Sequence, residues 1–139
     1  MIKDKNARSF VTIMVVIAVS SLVIRIAARA LIDVNMAQNE SNAEGTLKLI
    51  AAALENYSND NHDKYPDHFS ALTQTRPAYL DKDYISASPL KGYQYGCSRL
   101  ERAGYSCYAR PVWCGLTGKS AYAISSGSTL AQESCKKSE

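Results

Sequence analysis

Hydrophobic residues are distributed along this chain in three successive patterns. From Phe10 to Ile24 they form a run of 15 residues without a charge, FVTIMVVIAVSSLVI. Arg25 and Arg29 interrupt the run, and apolar positions continue to Ile32. As helix, Phe10–Ile24 measures about 22 Å and Phe10–Ile32 about 35 Å. These lengths bracket a hydrocarbon core of ~30 Å. Arginines near one end of such a helix reach the interface with their charged heads. The run by itself leaves three readings open: a retained anchor, a cleaved signal peptide and a buried core helix.

Past Ile32 the run becomes a stripe. Val34, Ala37, Ala43, Leu47, Ile50, Leu54 and Tyr57 follow at three- and four-residue steps, with one gap of six. That spacing predicts an amphipathic helix whose stripe packs on a core. Gln38, Glu44, Lys48 and Glu55 are expected on the opposite face. No proline precedes Pro66, so one helix is predicted from Phe10 to about Ser58, roughly 74 Å long. Gly45 costs such a helix about 1 kcal/mol relative to alanine. A domain of about 100 residues has no use for a helix of that length. Its first half is therefore expected to be buried by something other than this domain. Asn59, Asp60, Asn61 and Asp63 favour a turn, and Pro66 prevents a helical continuation. Phe69–Thr73 reads as a single turn that points Phe69 and Leu72 inward. Tyr79, Leu80, Tyr84 and Ile85 then attach the loop to the core.

From Gly92 the period is two. Tyr93, Tyr95 and Cys97 alternate with Gln94 and Gly96. After the polar turn RLERAG, Tyr105, Cys107 and Ala109 alternate with Ser106, Tyr108 and Arg110. This predicts a β-hairpin, and a turn centred on Arg102 sets Cys97 opposite Cys107. A third strand is expected at Ser120–Ser126, after Gly115 and Gly118. Strands joined by short turns make an antiparallel meander. The fold class is thus α+β: a long N-terminal helix, hydrophobic then amphipathic, on a small antiparallel sheet.

Composition narrows the function. The chain has 139 residues, with 16 basic and 13 acidic side chains and a net charge of +3. That balance gives no basic stripe for nucleic acid. Nine tyrosines against two phenylalanines suit strands and interfaces with one wet edge. Cys97, Cys107, Cys114 and Cys135 all lie in the last third, and none forms a CxxC pair. His62 and His68 are distant in sequence, so the close ligand pairs of a zinc site are missing. An even cysteine count behind a hydrophobic N-terminal segment favours disulfides and an oxidising compartment. Four cysteines allow three pairings; the hairpin favours Cys97–Cys107, leaving Cys114 to tie the C-terminal tail through Cys135. The oxygen-rich stretch Asn56–Asp67 lacks the glycine and distal glutamate of an EF-hand. No nucleophile–base pair, phosphate loop, paired carboxylates or dinucleotide fingerprint is visible. No catalytic residue, metal or cofactor is assigned.

Four stretches carry recurring patterns. Ser9-Phe10-Val11-Thr12-Ile13-Met14-Val15 follows a short basic segment and is similar to G-F-T-L-I-E-L. Asn39-Glu40-Ser41-Asn42-Ala43-Glu44-Gly45-Thr46-Leu47-Lys48 is similar to a mid-helix pattern N-E-x-x-A-x-G-[ST]-L-[RK]. Lys64-Tyr65-Pro66 resembles a GKYP turn after the helix. Gly115-Leu116-Thr117-Gly118-Lys119-Ser120-Ala121-Tyr122, with Gly127 beyond, is similar to a late G-x-T-G-x-R-x-F strand entry. In these four stretches the chain resembles the type IV pilin and type II secretion pseudopilin superfamily.

The resemblance implies residues 1–9 as a leader with Lys3, Lys5 and Arg8. It implies residues 10–32 as the membrane and filament-core half-helix, and residues 33–139 as a periplasmic or extracellular domain. It implies cleavage by a prepilin peptidase and N-methylation at Ser9-Phe10. It also implies assembly with other pilin or pseudopilin subunits through Phe10, Met14, Ile17 and Leu22. The chain would cross a bacterial inner membrane once, N-terminus inside. Two positions depart from the family: Ser9 replaces the glycine before the cut, and Met14 replaces a glutamate associated with subunit recognition. The second departure leans toward a minor, tip or divergent subunit. A rival reading is a secreted or membrane-anchored small disulfide-bonded binding domain that does not polymerise. Ala28-Arg29-Ala30 has the small-x-small form of a signal-peptidase site, and cleavage there leaves a chain starting at Leu31.

Overall fold

A computed structural model describes the backbone of residues 2–136 and the side chains of residues 9–136. The side chains of Lys3, Lys5 and Arg8, expected in a basic leader, lie outside the described residues. Helix α1 spans Ile2–Asp60 as one element, and a single turn, α2, covers Ala71–Gln74. Four strands follow: β1 Tyr93–Glu101, β2 Gly104–Pro111, β3 Ser120–Ser125 and β4 Thr129–Ser134. They form one antiparallel sheet in the order β1-β2-β3-β4. The chain is α+β, and it divides into two compact units, one ending at Val34 and the other beginning at Asn35.

In the second unit, one face of α1 buries Met36, Ala43, Leu47, Ile50 and Leu54. The sheet supplies Tyr93, Tyr95, Tyr105, Cys107, Ala109, Tyr122 and Ile124 to the same core. The stripe starts elsewhere than the hydrophobic spacing suggested. Val34 and Ala37 are exposed, while Met36 is buried. Stepping back from Ala43 by helical spacing reaches Glu40 and then Met36, so a carboxylate fills the apparent six-residue gap. Glu55 is also displaced from its expected face: it turns to the sheet and accepts hydrogen bonds there. Gly45 is exposed, and a Cβ at that position would meet open space.

Helix α1 ends where its sequence changes chemistry. Asn61 and Asp63 donate their backbone N–H groups to the Ser58 carbonyl at 3.1 and 2.9 Å. Asn61 Nδ2 reaches the Tyr57 carbonyl at 2.8 Å. His62 and Asp63 take left-handed φ angles of 57° and 58°, which turns the chain out of the helix. In the following loop Leu72 and Leu80 are buried, and Tyr79 and Leu80 donate their backbone N–H groups to the Leu72 carbonyl.

The first hairpin turns between Arg102 and Ala103, since Glu101 pairs with Gly104. A turn placed there would by itself set Cys97 out of register with Cys107. A bulge between Cys97 and Arg99 inserts one residue and restores that pair. The hydrophobic pattern predicts a tail after Ser126, and the structure places strand β4 there. Its residues are exposed except for the half-buried Leu130, so it carries no apolar alternation. The turn before it holds the available signal: Gly127 and Ser128 have φ angles of 79° and 57°, and three residues separate the Ser125–Thr129 pair.

Candidate functional site

Two features stand out: an apolar helical surface that none of the described residues covers, and the lock that holds the sheet on the amphipathic helix. In the first unit, Phe10, Met14, Ile17 and Leu22 are all exposed, at 61, 54, 59 and 59%. So are Val11, Ile13, Val15, Val16, Val19, Val23, Ile24 and Ile26. Apolar residues therefore occupy every side of this stretch, and a helix hydrophobic all round needs a membrane or a protein interior about it. The helix from Ser9 onward is long and apolar enough to cross a membrane, and none of its apolar window is buried. The polar side chains fit that setting in part: Ser21 Oγ donates to the Ala18 carbonyl at 2.9 Å, inside the helix. Ser9 and Phe10 are both helical and exposed.

In the second unit, two carboxylates of α1 gather the motif residues. Glu40 Oε1 accepts the backbone N–H of Lys119 at 2.6 Å. One residue earlier, Asn39 Nδ2 donates to the Thr117 carbonyl at 3.0 Å. The mid-helix motif thus binds the glycine-rich entry to β3 through backbone groups. Tyr93 closes the same corner by donating its hydroxyl to the Ser120 carbonyl at 2.7 Å. A Cβ at Gly118 would overlap that hydroxyl, so glycine is required by space there. Gly92 has φ 77°, and a Cβ on it would stand 2.9 Å from Thr117 Cβ and 3.0 Å from Asn39 Nδ2. Burial raises the Tyr93 hydroxyl pKa well above its ordinary value, and the charge of Glu40 adds to the shift.

Glu55 is the second gathering point. Its Oε1 accepts the Tyr105 hydroxyl at 2.9 Å and the Gly127 backbone N–H at 2.8 Å. Its Oε2 accepts the Tyr65 hydroxyl at 2.9 Å. The rings of Tyr65 and Tyr105 meet edge to face, 5.1 Å between centroids. Burial raises the Tyr105 hydroxyl pKa, and the hydrogen bond to Glu55 raises it further. Burial and then Glu55 act in the same direction on Tyr65. One carboxylate therefore ties the turn after the helix, the β2 strand and the β3–β4 turn to α1.

The disulfides join Cys97 to Cys107 and Cys114 to Cys135, with Cα–Cα distances of 3.8 and 5.9 Å. The first crosses the β1–β2 pair; the second fastens the β2–β3 loop to the end of β4. Among the described residues, no three His, Cys, Asp or Glu side chains gather as a metal site would require. His62 and His68 are exposed. Sequence patterns pointed to Glu40 and Thr117 only as motif members, and they misplaced Glu55. The role of Glu55 depends on Tyr65, Tyr105 and Gly127, which are 10, 50 and 72 residues away. No spacing rule within the helix could have found it. Compared with protein families, with curated proteins and with solved structures, the chain matches none.

Proposed function

We propose that this chain is a structural subunit, of the minor or divergent kind, of a type IV pilus or type II secretion pseudopilus. The observation that carries the reading is the division of labour along α1. Residues 10–24 present apolar side chains on every side, residues 25–32 continue the apolar positions beside Arg25 and Arg29, and the amphipathic continuation lies under a small, disulfide-bonded antiparallel sheet. The interlocking of the mid-helix motif with the late glycine-rich motif supports it, because both carry the resemblance. In this reading the apolar half-helix rests in the inner membrane with its N-terminus in the cytoplasm, and the disulfide-bonded domain faces the periplasm or exterior. A prepilin peptidase cuts between Ser9 and Phe10. The half-helices of successive subunits then leave lipid and pack on one another. Head-to-tail contacts that do not close generate an open filament.

Met14 favours a second outcome within the same architecture. It is apolar and 54% exposed, and it supplies no carboxylate at the position where the family has one. A subunit without that charge suits a filament tip, or an anchored protein that stays in the membrane. Intact mass and N-terminal sequencing of protein from its native membrane fraction decide between these. A mature start at Phe10, N-methylated, supports a processed subunit. An intact Met1 removes it from the filament and leaves an anchored protein. A start at Leu31 discards the assembly reading in favour of a secreted domain.

A further inference from the structure

We propose that the β2–β3 loop, residues 112–119, is a second membrane contact that seats its apolar side chains at the headgroup level of an anionic phospholipid surface. It rests on the reading that residues 10–32 lie in a bilayer. Within the described part of the second unit, the large exposed apolar side chains are Leu49, Val112, Trp113 and Leu116. Three of the four fall within five consecutive residues. Trp113 is 65% exposed, Leu116 61% and Val112 44%.

The loop is built to hold them outward. The Trp113 carbonyl accepts the backbone N–H groups of Leu116 at 3.1 Å and Thr117 at 2.9 Å. Trp113 donates its own N–H to Thr117 Oγ1 at 3.0 Å. Gly115 N–H bonds the Gly118 carbonyl, Val112 N–H bonds the Gly92 carbonyl, and Cys114 is tied to Cys135. A loop already ordered in this way loses little entropy on seating in a surface.

Chain connectivity supplies the occupant. The loop is fastened to Asn39 and Glu40, which follow Val34 by five and six residues. Even a fully extended chain spans only about 20 Å over that interval, and helix about 8 Å. The attachment points of the loop therefore lie no more than about 20 Å along the chain from Val34. Tryptophan with aliphatic neighbours is the side-chain set that settles at a membrane–water interface. The charges around it suit anionic headgroups. Lys91 adjoins Gly92, and Arg110 and Lys136 line the groove beside Trp113, against the carboxylates of Glu133 in that groove and Glu40 on the Lys119 N–H.

Trp113 is the single tryptophan of the chain, so its fluorescence reports this loop alone. The full chain is reconstituted in phosphatidylcholine vesicles containing a minority of phosphatidylglycerol, and flotation is measured beside quenching. The expected result is quenching of Trp113 by lipids brominated near the headgroup, with strong protection from aqueous acrylamide, an uncharged quencher that neither the lipid nor a new carboxylate repels. A Val112→Asp, Leu116→Asp double variant, altered only at exposed positions, should float equally well and show severalfold stronger acrylamide quenching. Flotation with Trp113 fully open to acrylamide overturns the loop contact and leaves the anchor standing. Equal acrylamide protection in the double variant overturns it as well. Protection that disappears when the protein is diluted in excess lipid assigns the loop to a second copy of the chain and overturns the lipid contact. Failure of the unaltered chain to float overturns the anchor reading, and this inference falls with it.

Discussion

The two halves of α1 have the same backbone and opposite accounting. Leu22 and Leu54 are both leucines in its interior, yet Leu22 is 59% exposed and Leu54 is fully buried. Around Leu54 the apolar side is one stripe, matched by a sheet that the same chain supplies. Around Leu22 the apolar side is the whole circumference, and none of the described residues covers it. Apolar burial stabilises a fold only where the partner belongs to that fold. Elsewhere the same residues specify an environment. The first half therefore addresses a location and the second half builds a domain.

The sharpest way to break this comparison is to truncate both leucines. Leu54→Ala should cost about 2–5 kcal/mol of unfolding free energy, through lost transfer energy and a cavity. Leu22→Ala should leave denaturant unfolding of the domain, measured on the full chain in detergent, unchanged. Equal losses would mean that the first half also packs on the domain.

Glu55 gives the next largest effect. Glu55→Ala leaves the hydroxyls of Tyr65 and Tyr105 and the Gly127 N–H without their acceptor. A loss of about 2–3 kcal/mol is expected, since Tyr105 is buried. Tyr65→Phe should cost less, because Glu55 keeps two donors. A urea titration of the two variants would rank them.

Tyr93 and Tyr105 make the domain half sensitive to alkali. Their folded-state pKa values lie above the ordinary 10.0, chiefly through burial. Below that value both states hold the protons and the contribution to stability is full. Above it the unfolded chain releases protons that the folded chain retains, so stability falls as pH rises. Each tyrosine should contribute a slope of about 1.4 kcal/mol per pH unit until its folded pKa is reached. Tyr105→Phe should remove its share of that slope in denaturant titrations run above pH 10.0, the ordinary tyrosine value. Helicity of the first half, which carries no tyrosine, should be indifferent over the same range.

The smallest effect concerns a position where the helix itself is weak. Gly45→Ala places a methyl in open space on an exposed helical face. It should stabilise the domain by up to about 1 kcal/mol, read as a raised unfolding midpoint. A loss instead would show that glycine there serves contacts outside this chain.

Local pattern determined a good deal of this protein. The uninterrupted apolar run, the absence of proline before Pro66, the asparagine–aspartate turn and the alternation around Cys97 and Cys107 are each written within a few residues. Secondary structure and hydrophobic faces follow from such short-range periodicity. Tertiary structure alone decided which residues outside the regular pattern matter. Glu40 and Glu55 look like ordinary helix-surface carboxylates until the sheet brings backbone N–H groups and tyrosine hydroxyls to them. Strand β4 has almost no hydrophobic signature, because an exposed edge strand is specified by its partner's hydrogen bonds rather than by burial. The bulge after Cys97 corrects a register that the turn alone would have missed. Each of these depends on a contact between residues far apart in the chain. Their free energy comes from desolvated polar groups finding partners, which no local spacing encodes.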